Sequence, residues 1–198
     1  MEALIMFASS WCSKAQRSNW RLVLSPLKEG SLERVLWALA FLKSTNGVAD
    51  KVSCGHFQTL IKNDPNISLS LFNNPYYIAA MLRQTSKWVK NTFVVVNIFR
   101  HIQLMWKGEP SRNFHDWIQF NEIGPKTAAL LFYAAFGETV ALPVDSHVYY
   151  AFQQCQWTNA KSEDECSWQA SQWMEKKYFI VKNDAIGSIR QCLADKKK

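Results

Sequence analysis

Apolar residues along this chain recur three to four positions apart, and few segments alternate with a period of two. A chain patterned this way folds as an all-α protein. The stretch 31–42 (SLERVLWALAFL) carries Leu32, Val35, Leu36, Leu39 and Leu42 on an almost continuous apolar surface, which predicts a helix buried on most sides and stopped by Asn46-Gly47. A helix is expected over 55–62, ending ahead of Pro65, which disfavours helical geometry at Asp64. Pro75 opens another that runs to about Arg83, because a proline in the first turn forfeits no hydrogen bond. The longest periodic stretch is 88–106, with Val89, Phe93, Val96, Phe99 and Ile102 or Gln103 on one face. Its β-branched run Val94-Val95-Val96 would suit a strand, but the length of the pattern favours a helix. Short helices follow at 112–120 and 127–136, the second closed by Gly137, and then at 146–153. Ser162 and Glu165 have the spacing of a capping box that opens a helix to about Lys177, and a last helix is expected over 184–194.

Composition narrows the partner. Hydrophobic residues make up 48% of the 198 residues, enough for a buried core in one compact unit or two small lobes. Only 20% are charged, yet the formal net charge is +7 and the isoelectric point about 9.2, a balance that favours a polyanion, nucleic acid ahead of an anionic membrane. No apolar run is long enough to span a bilayer, and the N-terminal stretch lacks the layout of a secretory signal. The five cysteines are widely spaced and form no CxxC or tight Cys/His cluster, so neither zinc nor an iron–sulfur cluster is indicated by side-chain ligands. Reduced thiols, with Cys155 and Cys166 buried, and an intracellular location are expected.

Chemistry concentrates in 120–147 (FNEIGPKTAALLFYAAFGETVALPVDSH). A short turn, Glu122-Ile123-Gly124-Pro125, joins two helices and sets Lys126 at the start of the second. A helix start directs unpaired backbone N–H groups outward and so suits a phosphate, and Gly124 allows close approach. Asp145 stands where an N-cap belongs, ahead of Ser146 and His147. Ordinary roles compete with these. A lysine at a helix start is usually solvated, an aspartate there is usually a plain cap, and His147 could simply pack in the first helical turn. Most of the nine tryptophans read as core or lobe-interface residues, and none is singled out as a base-stacking platform.

The pattern resembles the helix-hairpin-helix superfamily of base-excision DNA glycosylases, which includes endonuclease III and the 8-oxoguanine glycosylases. Ile123-Gly124-Pro125-Lys126-Thr127-Ala128 is similar to the second half of that family's hairpin, and Val144-Asp145-Ser146-His147 to its Val-Asp-x-His element. The Pro143-Val144-Asp145 form is closer to the 8-oxoguanine branch. Two departures stand out: Glu122 replaces the first hairpin glycine and places a negative charge beside the expected phosphate path, and the family's iron–sulfur cysteine loop is absent.

The resemblance implies two helical lobes with the hairpin at the intervening cleft, a central lobe at roughly 31–135 and a second from 1–30 plus 136–198. It implies an N-glycosylase with AP lyase activity on oxidatively damaged bases, in which Lys126 attacks the sugar and Asp145 stabilises developing charge or takes the lysine's proton. A free lysine has a pKa of about 10.4, so such a nucleophile must be made neutral by burial or by positive neighbours. DNA contacts are expected from Ile123, Gly124, Pro125, Thr127 and His147. Lys43 and Asn46 lie, with Ser44 and Thr45, where the family fills the gap left by an extruded base. Phe179, Asn183 and Asp184 fall where it lines the base pocket. A monovalent cation on hairpin carbonyls, Phe120 or Ile123 among them, is a further expectation, as is a monomer acting on double-stranded DNA in the nucleus, a mitochondrion or the bacterial or archaeal cytoplasm. The competing functions are a non-catalytic helix-hairpin-helix DNA-binding protein and a helical protein–protein adaptor.

Overall fold

Every regular element among the residues that the computed structural model describes (24–44, 59, 61, 69–82, 88–181 and 186) is a helix. In chain order these are α1 (Leu32–Ser44), a 3-10 turn (Leu69–Asn73), α2 (Pro75–Leu82), α3 (Trp88–Met105), α4 (Phe114–Ile118), α5 (Pro125–Phe136), α6 (Ser146–Gln154), α7 (Glu163–Trp173) and α8 (Lys177–Val181). Among the described residues, no helix is long and apolar enough to cross a membrane. The helices expected at 55–62 and 184–194 fall largely outside the described residues.

The helix ends follow local chemistry. Asn74 caps α2 by accepting from Tyr76 N at 3.0 Å, with Pro75 as the first helical residue. Asn113 caps α4 through His115 N. Gly137 ends α5 at φ +70°, a left-handed conformation that glycine adopts without strain, and its N–H reaches Tyr133 O at 3.2 Å. At α7 the Ser162 hydroxyl accepts from Glu165 N at 3.1 Å, but the Glu165 carboxylate reaches back to Lys161 N, not to the cap itself. That helix stops at Trp173, short of the expected Lys177, because Met174 turns extended (ψ 132°) and a separate short helix begins at Lys177.

Two compact units emerge, and α5 contributes to both. The first gathers the described residues within Ser18–Ile123 and Leu131–Glu138; the second gathers those within Gly124–Leu130 and Thr139–Lys198. Residues 24–30 therefore belong with the first unit, and the start of α5 with the second, whereas the sequence placed both on the opposite side of the division. The reason for 24–30 is buried hydrogen bonding. Arg34, 5% exposed in α1, donates to the carbonyls of Leu27 and Leu24 and, at 2.9 Å, to Ala134 near the end of α5, while Gly30 N donates to Ala135 O at 2.8 Å.

The core of the first unit is built on α1. Every residue from Val35 to Phe41 is at most 2% exposed, so the helix is apolar and enclosed as its sequence requires. Trp37 meets Phe72 edge-on at 5.7 Å, and α2 and α3 pack on α1 and on each other. On α3 the buried stripe is Thr92, Val95, Phe99 and Ile102, with Val96 and Ile98 alongside. Val89 and Phe93, expected on that face, are instead 50% and 56% exposed. The stripe is turned because Asn91, also buried, donates its side-chain amide to Lys43 O at 2.7 Å and so orients the first turn.

The second unit has its own core, with Leu142, Val144, Phe152, Cys166, Met174 and Phe179 among the buried residues. Cys166 is buried, which pushes its thiol up to about 11; Cys155, expected to be buried, is only half-buried, and that partial burial raises its thiol too, so neither offers a thiolate nucleophile near neutral pH.

Candidate active site

The second unit brings together the two residues the sequence singles out. Lys126 is the second residue of α5, and Asp145 is the N-cap of α6. Lys126 Nζ lies 2.8 Å from Asp145 Oδ2, and each side chain keeps just over a quarter of its surface in solvent (28% and 27%). The pair is thus partly desolvated yet reachable, which a nucleophilic amine requires.

Asp145 uses its two oxygens separately. Oδ1 accepts from His147 N at 3.0 Å and Val148 N at 2.9 Å, which satisfies helix-start donors, while Oδ2 takes the ammonium. Burial alone would raise the pKa of this carboxyl, but the hydrogen bonds from Lys126 and Val148 N, together with the charges of Lys126 and His147, outweigh it and hold the carboxyl below its ordinary value. It is therefore an anion at neutral pH.

The segment that delivers Asp145 is anchored from below. Leu142, Pro143 and Val144 are buried, and the Ser167 hydroxyl of α7 donates to Leu142 O at 2.7 Å. That anchor was not legible in the sequence, because a serine in the middle of an amphipathic helix carries no signal of its partner.

In the chain just ahead of α5, the turn closes with Ile123 N donating to Phe120 O at 2.8 Å. Ile123 is 1% exposed and holds the turn by its side chain, leaving only its backbone for outside contacts. Gly124 is exposed, has no positive φ, and a Cβ built on it would meet nothing within 4 Å. Nothing in the described protein requires glycine there; close approach of an outside molecule would. Pro125 and Thr127 are half-buried in the first turn of α5. His147 is exposed in the first turn of α6, so it is not a packed histidine.

Glu122 does not stand alone. Its carboxylate pairs with Lys90 at 3.0 Å, and its carbonyl accepts from Lys43 Nζ, a group whose pKa is lowered by burial and by Lys90 although Glu122 opposes the shift. Lys90, at the start of α3, was missed by sequence reasoning because only folding places it beside the turn. Lys43 serves the turn through that hydrogen bond. Phe179, expected to line a base pocket, is 1% exposed in the core, so its ring has a packing task and not a lining one. Asn46, Asn183 and Asp184 lie outside the described residues. Among the described residues no group of three or more His, Cys, Asp or Glu side chains could hold a metal ion.

Two solved structures superpose on this arrangement of helices. One is a non-covalent endonuclease III–DNA complex, the other a trapped endonuclease III–DNA covalent intermediate in an estranged-adenine complex. Each gives a TM-score of 0.68, covers 95% of this chain and 83% of its own, and shares 13% and 14% of residues respectively. The chain has the endonuclease III fold. No protein-family model matches the sequence, and comparison with curated proteins gives no match. At this level of identity the endonuclease III likeness speaks for the fold, while the Lys126–Asp145 geometry stands on its own.

Proposed function

We propose that this chain is a base-excision DNA N-glycosylase with AP lyase activity, acting as a monomer on double-stranded DNA that carries an oxidised base. The observation that carries the reading is the 2.8 Å contact between Lys126 Nζ and Asp145 Oδ2 at a helix start, in a chain with the endonuclease III fold. Two further facts support it: a formal charge of +7, which favours a polyanionic partner, and the existence of a structural neighbour whose protein was trapped covalently on DNA.

In this reading the Lys126 ammonium gives its proton to the Asp145 carboxylate as closure around DNA excludes water. The freed Nζ lone pair attacks C1′ of an extruded nucleotide. The bond between C1′ and the base breaks, its electron pair leaves on the base, and the base takes up a proton. The sugar-ring oxygen then leaves C1′ as the new hydroxyl, giving a protonated Schiff base on Lys126. Loss of a C2′ proton next forms a C2′–C3′ double bond and expels the 3′ phosphate, which nicks the strand. Asp145 passes the proton it took from Lys126 to the departing base and, anionic again and fixed by the cap, then offsets positive charge on the sugar.

Borohydride treatment of the protein with duplexes carrying single oxidised bases tests this directly. A covalent adduct that disappears in Lys126→Gln is expected. The absence of any adduct from the wild-type protein across the lesion panel sinks the enzymatic reading. A DNA-binding role without chemistry is the second reading, favoured by one observation, the charged Glu122 in the turn. Binding with no adduct and no nick would select it.

A further inference from the structure

Two ammonium groups of the first unit converge on one residue. Lys43 Nζ, near the end of α1, donates to the Glu122 carbonyl, and Lys90 Nζ, in the first turn of α3, lies 3.0 Å from Glu122 Oε1. The end of α1 and the start of α3 are tied to each other by the buried Asn91 amide on Lys43 O, so the stems of both lysines rise from fixed backbone. The ion pair is solvent-exposed: Glu122 and Lys90 keep 39% and 63% of their side chains in solvent. An exposed pair of this kind contributes little stability and exchanges readily with a competing anion. The turn it sits on leads directly to exposed Gly124, where the space beside the backbone is open.

We propose that Lys43 and Lys90 form a seat for a backbone phosphodiester of duplex DNA, and that the Glu122 carboxylate fills this seat in the free protein. Glu122 is then an internal competitor that limits binding to undamaged DNA. A phosphodiester carries the same single negative charge as the carboxylate it displaces, so both lysines keep a counter-charge in either state. The proposal rests on the reading above that the turn faces DNA, and it does not require Lys126 chemistry.

Binding of the full chain to a short undamaged duplex, measured across a salt series, tests it. Glu122→Gln keeps the backbone carbonyl and the side-chain shape but removes the competing charge. It should bind roughly three- to tenfold tighter at low salt, and its log–log salt slope should steepen by about one ion. Adding Lys90→Met to Glu122→Gln should cancel the gain, and thermal melts should show all variants folded. Affinity that is unchanged or weaker in Glu122→Gln overturns the proposal, as does a gain that survives loss of Lys90. Heat protection of Glu122→Gln by inorganic phosphate without tighter duplex binding also overturns it, since the seat would then take a free anion only. Borohydride trapping on damaged DNA, run in parallel, reports on Lys126 alone, so failure of the enzymatic reading and failure of this one give different results.

Discussion

Asp145 Oδ2 accepts from Lys126 Nζ at 2.8 Å while Asp145 Oδ1 caps α6 through two backbone N–H groups, so one carboxylate orients the amine and is itself held by a helix. The two tasks separate by substitution. Asparagine is as good an N-cap as aspartate but carries no charge. Asp145→Asn should therefore fold with a melting temperature near that of the parent and trap DNA about 100-fold more slowly. Asp145→Ala should lose a further ~1–2 kcal/mol of stability. Thermal melts beside single-turnover trapping check both; an Asn variant with full activity would show that the charge is not used.

Acid should weaken the same contact. The Asp145 carboxyl is held below its ordinary value, so its contribution is complete above the unfolded pKa of about 3.9 and is lost as pH falls through the lower folded value. Lys126→Met removes the strongest lowering partner. The stability gap between parent and variant should be constant near neutrality and close below about pH 4, as read by urea melts at stepped pH. A gap that widens on acidification would contradict the pairing.

Gly124→Ala separates folding from binding. An added Cβ meets nothing within 4 Å and the backbone needs no left-handed conformation, so stability should change by less than about 1 kcal/mol. If the open side of Gly124 faces a phosphate, duplex affinity should fall by about tenfold, measured by fluorescence anisotropy. Equal affinities would place the phosphate elsewhere.

Arg34→Met is expected to act through stability alone. The buried guanidinium serves Ala134, Leu27 and Leu24 carbonyls, and a methionine would leave these acceptors without it. A loss of about 3 kcal/mol in chemical denaturation is expected, with residual folded protein still trapping DNA. A variant as stable as the parent would mean that water replaces the guanidinium.

The helical content of this protein was readable from the spacing of apolar residues, because a helix that must bury one face repeats its apolar positions whatever it packs against. Helix ends were readable at Pro75, Gly137 and Asp145 for a similar reason: proline, a positive φ and a capping carboxylate act on backbone groups a few residues away. Lys126 and Asp145 could be named together only because their motifs resembled a known pair. Local rules failed where a distant partner decided. Asn91 turned the face of α3 by reaching Lys43, and Met174 split a helix that the pattern ran on to Lys177.

By itself, then, the sequence determined a helical fold and most helix boundaries among the described residues, while a resemblance to a known pair named its two candidate residues. Tertiary structure decided that those two side chains meet at 2.8 Å, that Phe179 is enclosed in a core and that Glu122 is answered by Lys43 and Lys90. The division is physical: periodicity and capping are set by neighbours within a turn or two of helix, whereas ion pairs and burial depend on which distant segments the packed core brings together.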